Sequence, residues 1–224
     1  MDSGNPFKHW LAGILAVIPI AYLLVQWNTI PARVALHFGP DGKPDRYGGK
    51  PELLVSIVMM TIIGLLCYAL VTNAHKLDKK KFKDGKPPIF DTIALATMTL
   101  ISVLSLAIVI NSIHPDIVLL GKVVMPAIGL FFVFMGNVMY NIRPNSFVGV
   151  RVPWTLKDED NWKKTHRVSA RLFFVGGLLI TLVALFFDTR VASMFTTGVS
   201  LVIALASVLY SYLYYKNNKK ANIQ

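Results

Sequence analysis

The sequence predicts an all-α membrane protein, a six-transmembrane-helix bundle with both ends on the inner side, a small structured outer loop and an inner interfacial helix. Three observations predict it. Hydrophobic residues make up 54% of the 224-residue chain and charged residues only 16%, with a mean hydropathy of +0.53, outside the range of soluble globular domains. The apolar residues fall into six long runs, most of them near the ~20 residues needed to cross hydrocarbon. The basic residues are distributed unevenly between the loops.

The first span covers about 10–27. Trp10 and Trp27 flank it at the two headgroup belts, and Pro19 in its middle predicts a kink. A short polar lead from Asp2 to Lys8 precedes it, and with no small-x-small cleavage site the span reads as retained. An outer loop, 28–51, is rich in Pro and Gly. Within it Val34 to Phe38 reads as a short strand and Pro40 to Lys43 as a turn, giving a small hairpin over the membrane.

Further spans are expected at about 53–71, 92–113, 123–142, 170–187 and 191–215, with no appended soluble domain. A lysine-rich loop from His75 to Lys86, carrying Lys83 among its six lysines, reads as solvated and attracted to anionic lipid. His114-Pro115-Asp116 and Asp188-Thr189-Arg190 read as tight turns. The fifth run is short, and a helix starting at Leu156 is expected to run into it.

Orientation follows from the Lys and Arg residues. With both ends inside, inner segments hold seventeen of the 23 basic residues and outer segments six. This sorting accounts for the net charge of +11 without nucleic acid. Cys67 is the single cysteine, so neither an intrachain disulfide nor a Cys-based metal site is available.

The longest polar segment, an inner loop at 143–169, carries the most information. Pro144-Asn145-Ser146 opens a turn, then Gly149, Arg151, Pro153 and Trp154 follow in close succession. Thr155 reads as an N-cap, with Asp158, Glu159 and Asp160 where the helix dipole favours acids. Glu159/Lys163 and Asp160/Lys164 stand at the favourable i,i+4 spacing. The dense Arg, Pro and Trp grouping suits either a rigid docking surface or interfacial anchoring by Arg151, Trp154 and Trp162. His166 follows Trp162 by four residues, which reads as an aromatic–imidazole contact; ligand spacing for a metal is lacking.

His37, Asp41 and Asp45 are evenly spaced, but Gly39, Pro40, Gly42 and Pro44 forbid a helix there, leaving turn-forming aspartates and a packed histidine. No Asp, Glu, Lys or Arg falls inside the uncharged runs themselves (11–25, 53–71, 92–113, 123–142, 172–187 and 191–215), which argues against a coupled transporter. Asn137 and Asn141, with Asn111, Ser102 and Ser105, suit helix–helix hydrogen bonds or the lining of a polar pathway. No nucleophile–base pair, Gly-rich phosphate loop or HExxH motif is present, so the chain reads as a non-enzyme with no cofactor and no metal site.

GVRVPWTLKDEDNWKKTHR, residues 149–167, resembles the signature of the SdpI family of bacterial membrane proteins, some of which are immunity proteins against secreted killing peptides. The matching positions are Gly149, Val150, Arg151, Pro153, Trp154, Thr155, Leu156 and Trp162; Val152 stands where the family usually has Thr. IPARVALHFGPDGKPDRYGGK, residues 30–50, containing His37 and Tyr47, resembles the extracytoplasmic DUF1648-like module found with such spans. The resemblance implies a multi-pass protein of the bacterial cytoplasmic (inner) membrane that engages a secreted peptide toxin. Signalling to a cytoplasmic regulatory protein through the inner loop would be the corresponding output. The alternative from a different class is a small-solute channel or uncoupled transporter.

Overall fold

The computed structural model describes residues 6–82, 85–114 and 120–221. Asp2 of the polar lead, Lys83, and Pro115 and Asp116 of the first turn lie outside the described residues. Among the described residues, six helices are long and apolar enough to cross a membrane. They are α1 (Pro6–Val25), α2 (Lys50–Thr72), α4 (Ile89–Ile113), α5 (Met125–Met139) with the π turn Leu120–Val124 before it, α7 (Glu159–Phe186) and α8 (Thr189–Ala221). Two short helices, α3 (Ala74–Leu77) and α6 (Pro153–Lys157), lie in the connections. At ~1.5 Å per residue the 20 residues of α1 reach about 30 Å, the thickness of a hydrocarbon core.

The spans form two three-helix groups. α1 and α2 pack on α4, α5 and α8 pack on α7, and α4 meets α5 between them. The α5–α7 contact is the closest because glycines face each other. A β-carbon on Gly129 would lie 2.8 Å from the Gly177 carbonyl oxygen, and one on Gly177 would lie 2.5 Å from that of Gly129. Where lipid and protein are equally apolar, such close backbone approach is the main source of helix association. Outward-facing residues such as Ile14, Val17, Leu66, Leu182 and Leu205 are exposed, as a lipid-facing surface requires.

Hydroxyls within the spans are satisfied by neighbouring chain. Ser102 donates to the Leu15 carbonyl (2.7 Å) and Ser112 to that of Ala35 (3.2 Å). Asn111 is buried, but Asn137 and Asn141 are exposed on the outside of α5 and the segment after it. They therefore line no internal pathway, which corrects the expectation that grouped them with Asn111.

The hairpin forms as expected, with β1 (Arg33–Phe38) antiparallel to β2 (Pro44–Gly49). Asp41 accepts from the Lys43 N–H at 3.1 Å and Gly42 takes φ +75°, which closes the turn. Ile30 and Val34 bury against Leu23, Leu53, Ile57 and Val109, fastening the hairpin to one end of α1, α2 and α4. His37 is not packed, contrary to expectation. It is exposed and pairs with Asp45 at 2.6 Å, because adjacent strands bring residues eight apart side by side. Tyr47, also exposed, lies under the Arg33 guanidinium at 4.9 Å.

The third spanning helix extends beyond its apolar run and brings an ionisable pair into the end of the bundle. α4 begins at Ile89, so Asp91 falls in its first turn, buried and paired with buried Lys86. Lys86 thus departs from the other described lysines of the loop, which are exposed. Breaking such a pair by removing one partner is strongly destabilising.

Candidate functional site

The polar segment 143–169 folds into a compact cap on one end of the bundle. It begins with Asn145, almost completely buried, which substitutes for a turn of backbone. Its Oδ1 accepts from the N–H groups of Phe147 (2.8 Å) and Val148 (2.7 Å), and its Nδ2 donates to the carbonyls of Arg143 (2.9 Å) and Val148 (3.0 Å). All four capacities of the amide are used locally. Ser146 donates to Asp78, tying this loop to the lysine loop beside it.

Gly149 follows with φ +124°, a region that side chains rarely adopt. Its open side is filled by the ring of His166, whose Nε2 accepts from the Val150 N–H at 3.0 Å. The other ring nitrogen, Nδ1, donates to the Trp162 carbonyl at 2.8 Å. These partners assign the neutral Nδ1–H tautomer. His166 lies in the polar first turns of α7, before the apolar stretch begins, and is 1% exposed. Burial lowers its pKa to about 4, opposed in part by the bond to the Trp162 carbonyl. An imidazole so held is a structural post; using it as base or metal ligand would require breaking the bond to Val150.

Trp162, fully buried, stacks on His166 with ring centroids 3.9 Å apart and donates to the Ile142 carbonyl at 2.9 Å. Around it pack Ala74, Phe90, Ile93, Val138 and Val148. This places the loop, α3 and the ends of α4, α5 and α7 in one core. Trp162 is therefore a core residue, and the anchoring alternative does not describe it.

Trp154 behaves differently. Half-buried, it donates from Nε1 to Ser211 Oγ at 2.7 Å and lies against Tyr212 and Tyr215 of α8, with centroids 5.4 and 6.2 Å away. Thr155 is not the N-cap of the long helix. It sits within α6, where its hydroxyl accepts from the Val152 N–H (3.1 Å) and donates to the Val150 carbonyl (2.7 Å). The cap of α7 is Asp158, accepting from the N–H groups of Asp160 (2.9 Å) and Asn161 (3.2 Å), and α7 starts at Glu159 rather than Leu156. Asp158 wins because its extended backbone breaks the helix there, freeing its carboxylate to reach forward. From Glu159 the helix does run unbroken through the fifth span, and Lys163 pairs with Glu159 at 3.0 Å.

Arg151 and Pro153 are exposed on the surface of the cap. Of the sequence-predicted residues, Gly149, Trp154, Thr155, Trp162 and His166 are joined in this fold. His37 and Tyr47 are on the hairpin, at the opposite end of the bundle.

Sequence reasoning missed a polar seam between α7 and α8. Asn161 donates to the Ser211 carbonyl (3.0 Å) and accepts from Thr165 (2.9 Å), and Ser169 donates to Ser207 (2.8 Å). All five side chains are buried. Their four-residue spacing, Asn161-Thr165-Ser169 and Ser207-Ser211, was the available signal. Among the described residues no three His, Cys, Asp or Glu side chains converge to hold a metal ion.

Six apolar helices, a small hairpin at one end and a folded, glycine-dependent cap at the other define a multi-pass helical membrane protein with a structured polar face. Residues 141–211 match the SdpI/YfhL protein family, and residues 14–64 match DUF1648, a domain of unknown function. The chain is 26% identical over 202 residues to the "Immunity protein SdpI" of Bacillus subtilis (strain 168), covering 88% of this chain and 95% of that protein. The chain is thus similar to the SdpI/YfhL family over residues 141–211 and distantly similar to that immunity protein over most of its length. No solved structure matches it.

Proposed function

We propose that this protein sits in the bacterial cytoplasmic membrane and protects it against a secreted, membrane-active peptide. The observation that carries this reading is the similarity to an immunity protein across 88% of the chain, both modules included. The basic-residue bias supports an orientation with the cap cytoplasmic and the hairpin outside. In that orientation His37 and Tyr47 face incoming peptide, and exposed Arg151 and Pro153 are available to a cytoplasmic regulatory protein. Peptide engagement reaches the cap only if the peptide binds two arrangements of the spans unequally. A small-solute pathway has less support, since Asn137 and Asn141 are exposed and Ser102 is bonded to a neighbouring helix.

The test is membrane potential in a sensitive bacterial host exposed to a panel of secreted membrane-active peptides. Cells expressing the protein should retain their potential against at least one peptide, and Arg151→Ala at equal abundance should leave that protection intact while abolishing any signalling output. Loss of potential against every peptide would remove the proposal. Orientation is read separately. A cysteine at Asp41 should be labelled from outside and one at Lys80 should not, in a Cys67→Ser background.

A further inference from the structure

The segment linking α5 to the cap leaves a polar cleft of about 440 Å³ beside the first turns of α7. Against the ~30 Å³ that a water occupies in the liquid, this is space on the scale of a lipid headgroup rather than a single ion. Arg143, Lys163 and Arg167 line it against one carboxylate, Glu159, so the lining carries an excess of two positive charges. Asn141 adds an amide, and the Arg167 guanidinium is held over the Tyr140 ring at 5.9 Å.

The helix face that starts in this cleft continues into the lipid-facing surface. Arg167, Arg171, Phe174 and Leu178 follow one another at spacings of four and three, which places them on one face of α7, and all four are exposed. Arg167 precedes Leu172, where the apolar stretch begins, by about 7.5 Å along the axis. The guanidiniums therefore stand at the depth where phospholipid phosphates lie, with an apolar track below them for acyl chains. Arginine is suited to this chemistry because its planar fork matches two phosphate oxygens.

We infer that this cleft is a binding site for the phosphate of an anionic phospholipid. His166 lines the same cleft, so the bound lipid braces the turn in which Val150 donates to that ring. The cap is thereby tied to the composition of the surrounding leaflet.

The test is competition between phosphatidylglycerol and phosphatidylcholine for the purified protein in neutral detergent, read by native mass spectrometry. The wild type should retain phosphatidylglycerol preferentially. Arg143→Gln with Arg167→Gln should lower that retention about thirtyfold, the weight of two surface cations. Lys43→Gln with Arg46→Gln removes equal charge from exposed positions on the hairpin, outside the cleft, and should leave retention unchanged. Equal losses from both pairs would mean diffuse attraction and overturn the site. If the Gln pair does not fold, Arg167→Gln alone decides. About a fivefold loss is expected, and unchanged retention overturns the assignment. Inorganic phosphate in molar excess should not displace the lipid; displacement would assign the cleft to a free anion instead.

Discussion

A β-carbon on Gly149 would lie 2.2 Å from Nε2 of His166, the same nitrogen that receives the Val150 N–H. One contact thus explains two features of the signature stretch, a glycine and a histidine seventeen positions apart. The glycine admits the ring, and the ring closes the turn that the glycine begins.

Gly149→Ala should therefore destabilise the protein twice over, through φ +124° and through overlap with the imidazole. The expected loss is about 3 kcal/mol, combining backbone strain and overpacking. Thermal unfolding in detergent measures it, with Gly13→Ala as a control because nothing lies within 4 Å of a β-carbon there. Equal midpoints for the two variants would contradict the contact.

Stability should depend on pH through His166. Its pKa is about 4 in the folded protein, below the ordinary 6.5, so the unfolded chain binds more protons between these values. Stability is then fully present above pH 6.5 and declines as pH falls toward 4, by on the order of 3 kcal/mol. His166→Gln, which keeps an acceptor for Val150 but does not titrate, should flatten this part of the pH profile. An unchanged slope would rule out His166 as its source.

Trp154 and Ser211, joined across 57 positions of sequence, should be energetically coupled. A double-mutant cycle with Trp154→Phe and Ser211→Ala is expected to give about 1 kcal/mol, the net value of a hydrogen bond. Additive losses would show that the cap docks on α8 through its aromatic contacts alone.

The buried Lys86–Asp91 pair makes a fourth energetic prediction. Lys86→Met alone should cost about 3–5 kcal/mol by leaving a buried carboxylate unpaired. Lys86→Met combined with Asp91→Leu should recover most of that loss in the same unfolding assay. A double variant no more stable than the single would mean that the surrounding packing, rather than the charges, sets the cost.

Much of the helical framework was legible because each span satisfies its own backbone, so a long apolar run is sufficient to specify it. Glu159–Phe186 was legible in the same way, as a short apolar run extended by a polar helix. Its cap was not, since Thr155 and Asp158 are both good N-cap residues and the choice depends on which backbone is extended. The His37–Asp45 pair was missed because helical spacing was the wrong ruler for two strands.

The sequence by itself determined six apolar helices, the hairpin and the resemblance to the SdpI family, since these depend on local composition and on residues close together in the chain. Tertiary structure alone decided that Trp162 is core while Trp154 docks on α8, that Asn137 faces outward and Asn111 inward, and that His166 fills the space over Gly149. Those assignments depend on which helix faces meet. Facing is set by close approaches such as Gly129 to Gly177, between residues 48 positions apart, and hydropathy along one strand of sequence does not encode them.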